Sequence, residues 1–219
     1  MPSHSEIRET LQETGVVSIL VIQEAEDALR VGEALIAGGL PAMEITFRTE
    51  AARDGIDRLV REFPEALVGA GTVLTVDNLV AARDAGAQFV VTPGLNPTIV
   101  EKAVDIRLPI FPGIMTPSDV ERGLAFGLDT LKFFPAETAG GVGMLKALAG
   151  PYSHTGVRFI PTGGIHSANL MDYLAVPIAL ACGGTWIAPK NLVEAREWKS
   201  IEENARKAVE AISRIRNPK

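Results

Sequence analysis

The sequence has little cysteine, no excess of positive charge and no long hydrophobic run, and each shortage excludes a class of protein. One cysteine, Cys182, in 219 residues rules out an intramolecular disulfide and indicates a reducing, cytoplasmic environment. The formal net charge of −6, without a long basic run, argues against nucleic acid as a partner. No apolar stretch approaches the ~20 residues that cross a membrane, and the polar first residues have no apolar core of the signal-peptide type. We therefore expect a soluble intracellular protein.

Three common chemical signatures are also missing. The histidines, His4, His154 and His166, are scattered without the spacing of metal ligands, so we expect no metal site. No Gly-x-Ser-x-Gly nucleophile elbow occurs, and no dinucleotide fingerprint follows the first predicted strand. The sequence therefore predicts chemistry that needs no cofactor.

Eight short runs rich in β-branched or apolar residues recur along the chain. They begin at Val16, Ala42, Leu67, Phe89, Ile110, Thr130, Arg158 and Ala179. Their starts are roughly 20–28 residues apart, which is the length of a compact strand–loop–helix unit. Helical periodicity fills the intervals, with helix starts at Thr75 and Thr116, and the longest helical stretch, 190–214, should break once. A further helix is predicted over 5–14, before the first strand.

Eight consecutive βα units without a linker predict one closed (β/α)8 TIM barrel over residues 1–219, with an extra N-terminal helix. The competing fold is a doubly wound open sheet, which the missing fingerprint disfavours. In a barrel, active sites lie at the carboxyl ends of the strands, and side chains alternate between the lumen and the helix layer.

The first candidate site residue is Lys132, a lone charge in an apolar, strand-like run. Burial can lower the pKa of a lysine by up to about 3–5, and the neutral amine then attacks carbonyl carbons to form a Schiff base. Strand alternation places Glu44, Thr46 and Arg48 on the lumen face of the second strand. Two structural alternatives are a lysine that reaches solvent and a buried Glu44–Lys132 ion pair that fixes strand register.

Other candidates lie near the ends of further strands. Arg48 suits a substrate carboxylate, and Thr72 should face the same lumen. Pro93 and Phe134 are expected to shape the pocket wall. Two glycine pairs end the seventh and eighth strands, where barrel enzymes bind phosphate through backbone N–H groups. The predicted phosphate-binding residues are Gly163, Gly164, Gly183, Gly184 and Thr185.

The chain resembles the bacterial 2-keto-3-deoxy-6-phosphogluconate aldolase family, also called 4-hydroxy-2-oxoglutarate aldolase, from about Gly15 to Trp186. The matching segments are GGLPAMEITFRTEAA, GAGTVL, FVVTPGLNP, PGIMTPSDV, LKFFPAE and PTGGI. The resemblance implies a metal-free class I lyase on a (β/α)8 barrel, usually homotrimeric. Such an enzyme acts on a phosphorylated 2-keto acid in the Entner–Doudoroff route.

By this resemblance, Lys132 is the Schiff-base lysine and Glu44 is the general acid/base. Arg48 and Thr72 match positions that hold the pyruvyl carboxylate, with Thr162 beside them. The implied reaction is cleavage of the phosphogluconate substrate, and 4-hydroxy-2-oxoglutarate is a second substrate. Two alternatives remain, an aldolase for the galactonate epimer and a barrel that binds a sugar phosphate without catalysis.

Overall fold

The structure, a computed structural model, describes residues 2–216, in which parallel strands alternate with helices. The strands are β1 (Val16–Leu20), β2 (Ala42–Thr46), β3 (Leu67–Gly71), β4 (Phe89–Val91), β5 (Ile110–Phe111), β6 (Gly113–Ile114), β7 (Thr130–Phe133), β8 (Arg158–Pro161) and β9 (Cys182–Gly184). The helices are α1 (His4–Thr14), α2 (Ala25–Ala37), α3 (Ala52–Glu62), α4 (Val76–Asp84), α5 (Pro97–Asp105), α6 (Pro117–Ala125), α7 (Gly141–Tyr152), α8 (Leu170–Leu174), α9 (Lys190–Glu194) and α10 (Trp198–Arg216). Within this range no helix combines the length and apolarity needed to span a membrane.

The strands form two parallel sheets, with the orders β5-β4-β3-β2-β1-β9 and β6-β7-β8. β5 and β6 are two halves of the predicted fifth strand, separated by Pro112, whose carbonyl accepts a hydrogen bond of 2.9 Å from the Lys132 N–H. An isolated parallel bridge joins Thr162, just after β8, to Gly183 of β9. Neighbouring strands in each sheet follow one another in the sequence, apart from the β1–β9 pair. A doubly wound sheet would instead reverse the direction of strand order partway along the chain. The fold is therefore α/β with parallel strands, and the open-sheet alternative is not supported.

Capping residues explain where several helices begin. The Thr75 hydroxyl accepts a hydrogen bond of 3.0 Å from the Asn78 N–H, and Thr116 forms a reciprocal capping box with Asp119. These bonds satisfy amides that have no partner within the first helical turn. The two predicted helix starts are therefore confirmed. The predicted break in the C-terminal helical stretch is also confirmed, because α9 and α10 are separated near Arg196, which has φ +55°.

Glu44 and Lys132 lie on the inner face of the strands, as alternation predicts. Two glycines of β3 leave space on this face. A Cβ at Gly69 would overlap the ring of Phe89, and a Cβ at Gly71 would overlap the Glu44 carboxylate. These two glycines therefore make room for a ring and a carboxyl group contributed by the neighbouring strands.

Helix α1 covers the amino-terminal end of the strands. Leu11, fully buried on this helix, joins Phe89 and Phe111 around a void of about 10 Å³ directly below Lys132. Such a void is near the minimum needed for a single water molecule. The interior below the lysine is thus packed, and open space begins only above it.

Candidate active site

A cavity of about 150 Å³ at the carboxyl ends of the strands brings most of the predicted site residues together. Lys132 and Glu44 line both this cavity and the small void below it, so they form its floor. The other predicted residues that line it are Arg48, Phe134, Thr162, Gly163, Gly164, Gly183, Gly184 and Thr185. Residues from four different strands and their following loops thus converge on one small volume.

Lys132 is the buried cation of this cavity, with 7% of its surface exposed. Its Nζ lies 4.9 Å from the centre of the Phe134 ring, and strand β7 pairs it with Gly113 and Ile160. Burial lowers the pKa of Lys132; the charge of Arg48 lowers it further, and Glu44 opposes the shift. The environment therefore favours the neutral, nucleophilic amine.

Glu44 faces the same cavity from β2 and is 4% exposed. Burial raises the pKa of its carboxyl group against the opposing charges of Lys132 and Arg48, and its Oε1 has no hydrogen-bond partner. Among the described residues, no salt bridge joins Glu44 to Lys132, and their strands are not neighbours. A register-fixing ion pair is therefore not supported. The geometry instead leaves one carboxyl oxygen available to exchange a proton with a bound molecule.

Arg48 lies exposed at the rim, and its Nε donates a hydrogen bond of 3.3 Å to the Thr72 hydroxyl. Thr72 has φ +54°, a left-handed conformation that is unfavourable for a β-branched residue. Backbone strain of this kind persists only where the surrounding structure enforces it. Thr72 does not itself line the cavity, and its hydroxyl contacts the guanidinium that does.

Two other predicted residues do not offer a group to this cavity: Thr46, placed in the lumen by alternation, and Pro93, expected to shape the pocket wall. Thr46 is buried, but its hydroxyl donates to the Leu20 carbonyl at 2.9 Å and is not available in the cavity. Pro93 lines a neighbouring cavity of about 250 Å³ together with Leu74 and Leu95. Alternation predicts the face on which a side chain lies but not its depth along the strand.

The glycine residues after β8 and β9 adopt conformations or contacts that a side chain would disturb. Gly163 and Gly164 have φ +96° and φ +82°, which favour glycine. A Cβ at Gly184 would overlap the Trp186 ring, and Thr185 is exposed beside it. The backbone of these loops therefore borders the cavity without intervening side chains, as anion binding through N–H groups requires.

The sequence interpretation missed two lining residues, Ile19 and Ile165. Both are apolar, and nothing in their spacing distinguishes them from ordinary core residues. Within residues 2–216, no group of three His, Cys, Asp or Glu residues could hold a metal ion. Burial raises the pKa of the Cys182 thiol, so this residue is not a competing nucleophile.

Comparison with known proteins gives concordant results. The KHG/KDPG aldolase of Escherichia coli K12 is 46% identical over 203 residues, covering 92% of this chain and 94% of that protein. The 2-dehydro-3-deoxy-phosphogluconate aldolase of Haemophilus influenzae is 44% identical over 207 residues, covering 94% and 97%. A crystal structure of Legionella pneumophila KDPG aldolase, with pyruvate captured as a covalent carbinolamine, matches with a TM-score of 0.88. That match has 37% identity and covers 92% of this chain and 97% of the other.

The family model for KDPG and KHG aldolases matches residues 7–204, which is most of the chain. Together with the identities above, this match shows that the chain belongs to the KDPG and KHG aldolase family.

Proposed function

We propose that this chain is a class I aldolase that cleaves 2-dehydro-3-deoxy-6-phosphogluconate to pyruvate and glyceraldehyde 3-phosphate. The observation that carries the proposal is the floor of the cavity. There a buried lysine with a lowered pKa, Lys132, faces the same small volume as Glu44, whose Oε1 is unpaired. The carbinolamine in the L. pneumophila relative supports attack by an amine on a 2-keto acid.

In the first half of the reaction, the Lys132 amine adds to the C2 ketone carbon of the substrate. Neutral Glu44 gives one proton to the former carbonyl oxygen, which takes a second from the amine and leaves as water, so that a positively charged iminium and a Glu44 carboxylate result. Arg48, at the rim of the cavity, pairs with the neighbouring carboxylate and holds the keto acid in place. Thr72 positions this guanidinium through its hydroxyl, and Thr162 lies beside the same end of the substrate.

In the second half, Glu44 takes the proton of the C4 hydroxyl, either directly or through a water molecule. The C4 carbonyl forms, the C3–C4 bond breaks, and its electron pair moves into the iminium to give an enamine. Glyceraldehyde 3-phosphate leaves, C3 takes a proton, and water hydrolyses the resulting iminium to release pyruvate and free Lys132. The raised pKa of Glu44 suits this role, because a general acid/base works best when its pKa lies near the working pH.

The glycine loops would bind the phosphate group through backbone N–H groups, with the Thr185 hydroxyl as a further donor. The probe for this role is Thr185→Val, because a side chain at Gly184 would collide with Trp186 and disturb the fold. We expect Thr185→Val to weaken turnover of the phosphorylated substrate and to spare unphosphorylated 4-hydroxy-2-oxoglutarate, which has no phosphate to bind.

The decisive test of the proposed chemistry is trapping of the covalent intermediate. Borohydride added with pyruvate should leave a reduced adduct on Lys132, located by peptide mass spectrometry, and Lys132→Met should abolish both the adduct and turnover. Lys146→Met, at an exposed lysine, is the matched control and should be trapped normally. An adduct at another residue, or an active Lys132→Met enzyme, would exclude the mechanism.

The alternative functions give different outcomes in one assay. Pyruvate release from the gluconate and galactonate epimers separates the two aldolase activities, and the two curated relatives above are named for phosphogluconate or for KHG/KDPG. A barrel that only binds sugar phosphate would release no pyruvate from either epimer. We also expect cleavage of 4-hydroxy-2-oxoglutarate to pyruvate and glyoxylate.

We further infer that the two sheets close into one eight-stranded barrel and one domain, to which α1 is an addition before the first strand. The bridge between Thr162 and Gly183 supports closure. We propose a cytoplasmic homotrimer, as the family resemblance implies. Sedimentation equilibrium should give three times the mass of the chain, and a monomer would contradict this assembly.

A further inference from the structure

A side-chain pair made of a buried tyrosine and an exposed glutamate lies behind the glycine loop, and the sequence patterns did not single it out. The hydroxyl of Tyr173, in α8, donates a hydrogen bond to Oε1 of Glu137, which follows β7. Tyr173 is fully buried, and burial, strengthened by the bond to Glu137, raises the pKa of its hydroxyl. The hydroxyl therefore stays protonated and remains a donor to the carboxylate.

Gly141 lies next to both members of the pair. This glycine has φ +60°. A Cβ at Gly141 would lie 3.5 Å from the Tyr173 hydroxyl and 3.6 Å from Oε1 of Glu137, so its backbone is adjacent to both groups. The Gly141 N–H also donates to the Ala136 carbonyl at 2.9 Å. The segment that follows Lys132 thus turns back on itself beside the Glu137 side chain.

Glu137 also contacts the glycine loop directly. Its backbone N–H donates to the Gly163 carbonyl at 3.0 Å, and the preceding residue, Ala136, donates to the Thr162 carbonyl at 2.8 Å. The Cβ and Cγ of Glu137 lie only 2.6 Å from the position that a Cβ at Gly164 would take. The stem of this side chain is therefore in contact with the back of the loop whose front lines the cavity.

The opposite side of the loop is held by the residue that precedes α8. Asn169 donates from Nδ2 to the Gly164 carbonyl at 3.0 Å and accepts from the His166 N–H at 2.8 Å. Tyr173 lies one helical turn further along the same segment. The glycine loop is therefore enclosed between two segments, one that carries Lys132 and one that carries Tyr173, and the Tyr173–Glu137 bond joins them.

We propose that Glu137 and Tyr173 are positioning residues that fix the phosphate-binding loop at a set distance from Lys132. Neither lines the cavity, so both act through the backbone of Gly163 and Gly164. Glycines in left-handed conformations have many alternatives, and a hydrogen bond to a charged acceptor is among the stronger restraints available. A substrate held at both ends loses much of its reactivity when the two anchor points move apart. This inference rests on the proposed phosphate role of the loop.

Kinetics on two substrates tests the pair. Tyr173→Phe removes only the hydroxyl, and we expect it to raise the KM for the phosphorylated substrate about tenfold, the usual effect of one such hydrogen bond. The kcat and KM for unphosphorylated 4-hydroxy-2-oxoglutarate should change by less than about twofold, because that substrate does not reach the loop. Glu137→Ala should behave like Tyr173→Phe, and Glu137→Gln, which retains an acceptor, should recover most of the loss.

The chain offers a matched control at its other tyrosine. The Tyr152 hydroxyl donates to Glu121 at 3.1 Å, an equivalent pair between α7 and α6. Tyr152→Phe should leave the ratio of the two activities unchanged. In the double variant with both Glu137→Ala and Tyr173→Phe, the loss should not exceed that of either single variant, since the two residues act as one unit.

Three results would overturn the inference. Equal losses on both substrates would show a general structural role, an unchanged KM would show no role, and a selective loss in Tyr152→Phe would show that the effect is not specific.

Thr185→Val distinguishes failure of the positioning role from failure of the phosphate assignment. If Thr185→Val is selective and Tyr173→Phe is not, only the positioning role falls. If Thr185→Val spares both substrates, the phosphate site and the positioning role fall together.

Discussion

At the scale of single residues, the site depends on two ionisable groups placed where water solvates them poorly. Burial lowers the pKa of Lys132 and raises that of Glu44, so both shifts favour the neutral form. A neutral amine and a neutral carboxylic acid are the forms needed to attack a ketone and to protonate its oxygen. Glu44 and Lys132 belong to strands that are not neighbours, and among the described residues no salt bridge joins the two groups.

Glu44→Gln should separate proton transfer from covalent capture. We expect turnover to fall by about 10²–10⁴-fold, the usual contribution of general acid–base catalysis. Trapping of pyruvate by borohydride should survive, because the amine of Lys132 and the guanidinium of Arg48 remain in the cavity. Glu24→Gln, at an exposed glutamate, controls for the loss of a charge. Trapping and turnover that fall in parallel would contradict a separate role for the carboxyl group.

The same substitution should have a pH-dependent effect on stability. Because the pKa of Glu44 is raised above 4.5, the folded chain binds more protons than the unfolded chain between 4.5 and the raised value. The contribution of Glu44 to the free energy of unfolding therefore falls as the pH rises through that interval. Glutamine lacks this penalty, so Glu44→Gln should have a higher Tm than the wild type at pH 7.

This stability difference should shrink at pH 4, where the wild-type carboxyl group is mostly protonated in both states. Each kcal/mol shifts the Tm of a domain of this size by about 2–4 °C, which scanning calorimetry resolves. If Glu44 stabilised the fold through an ion pair with Lys132, the variant would instead melt below the wild type at pH 7.

At the scale of elements, α1 packs against the closed end of the strands through an apolar face. Ile7 and Leu11 are fully buried, and a Ser3–Glu6 capping box fixes the start of the helix. One turn separates the two apolar residues, so both face the strands. The helix therefore contributes packing to the interior below the site rather than chemistry.

Leu11→Ala should consequently lower stability without removing any site residue. We expect the free energy of unfolding in urea to fall by about 2–5 kcal/mol, the usual range for a buried leucine. Ser5→Ala, on the exposed side of the same helix, should change it by less than about 0.5 kcal/mol. Equal effects of the two substitutions would mean that α1 does not contribute to the core.

Periodicity and capping residues predicted most of these elements, because they are local signals. The interruption at Pro112 was not predicted: the run from Ile110 was interpreted as one strand, and the sequence alone does not show that pairing changes partners there. Strand alternation predicted that Lys132 and Glu44 lie on the same inner face, where they form the floor of the cavity. The contact between Glu137 and Tyr173 could not be predicted, because it joins residues 36 positions apart through loop packing.

At the scale of the whole molecule, the two ends of the strands have different properties. The amino-terminal end is covered by α1, where His4 contacts Asp129 at 2.7 Å, and the carboxyl end opens into the cavity. The open end carries the glycines and Arg48, which line the cavity. Stability and chemistry are thereby assigned to opposite ends, as is usual in βα barrels.

Chelation should leave the activity of the whole enzyme unchanged. In the proposed mechanism Lys132 supplies the electron sink as an iminium, and the described residues contain no cluster of metal ligands. We expect turnover measured after dialysis against EDTA to equal that of the untreated enzyme. Loss of activity that zinc or another divalent ion restores would show that a Lewis acid, rather than the lysine, polarises the ketone.

The packed floor beneath Lys132 has a consequence for the order in which products depart. Leu11, Phe89 and Phe111 close the cavity below the lysine. Substrate and products can therefore enter and leave only through the open end above it. After cleavage, pyruvate is still covalently bonded to Lys132 at the closed end of the cavity, and the phosphorylated aldehyde lies between it and solvent. The aldehyde must therefore leave first and pyruvate last, so pyruvate should compete with substrate for the free enzyme and the aldehyde should not.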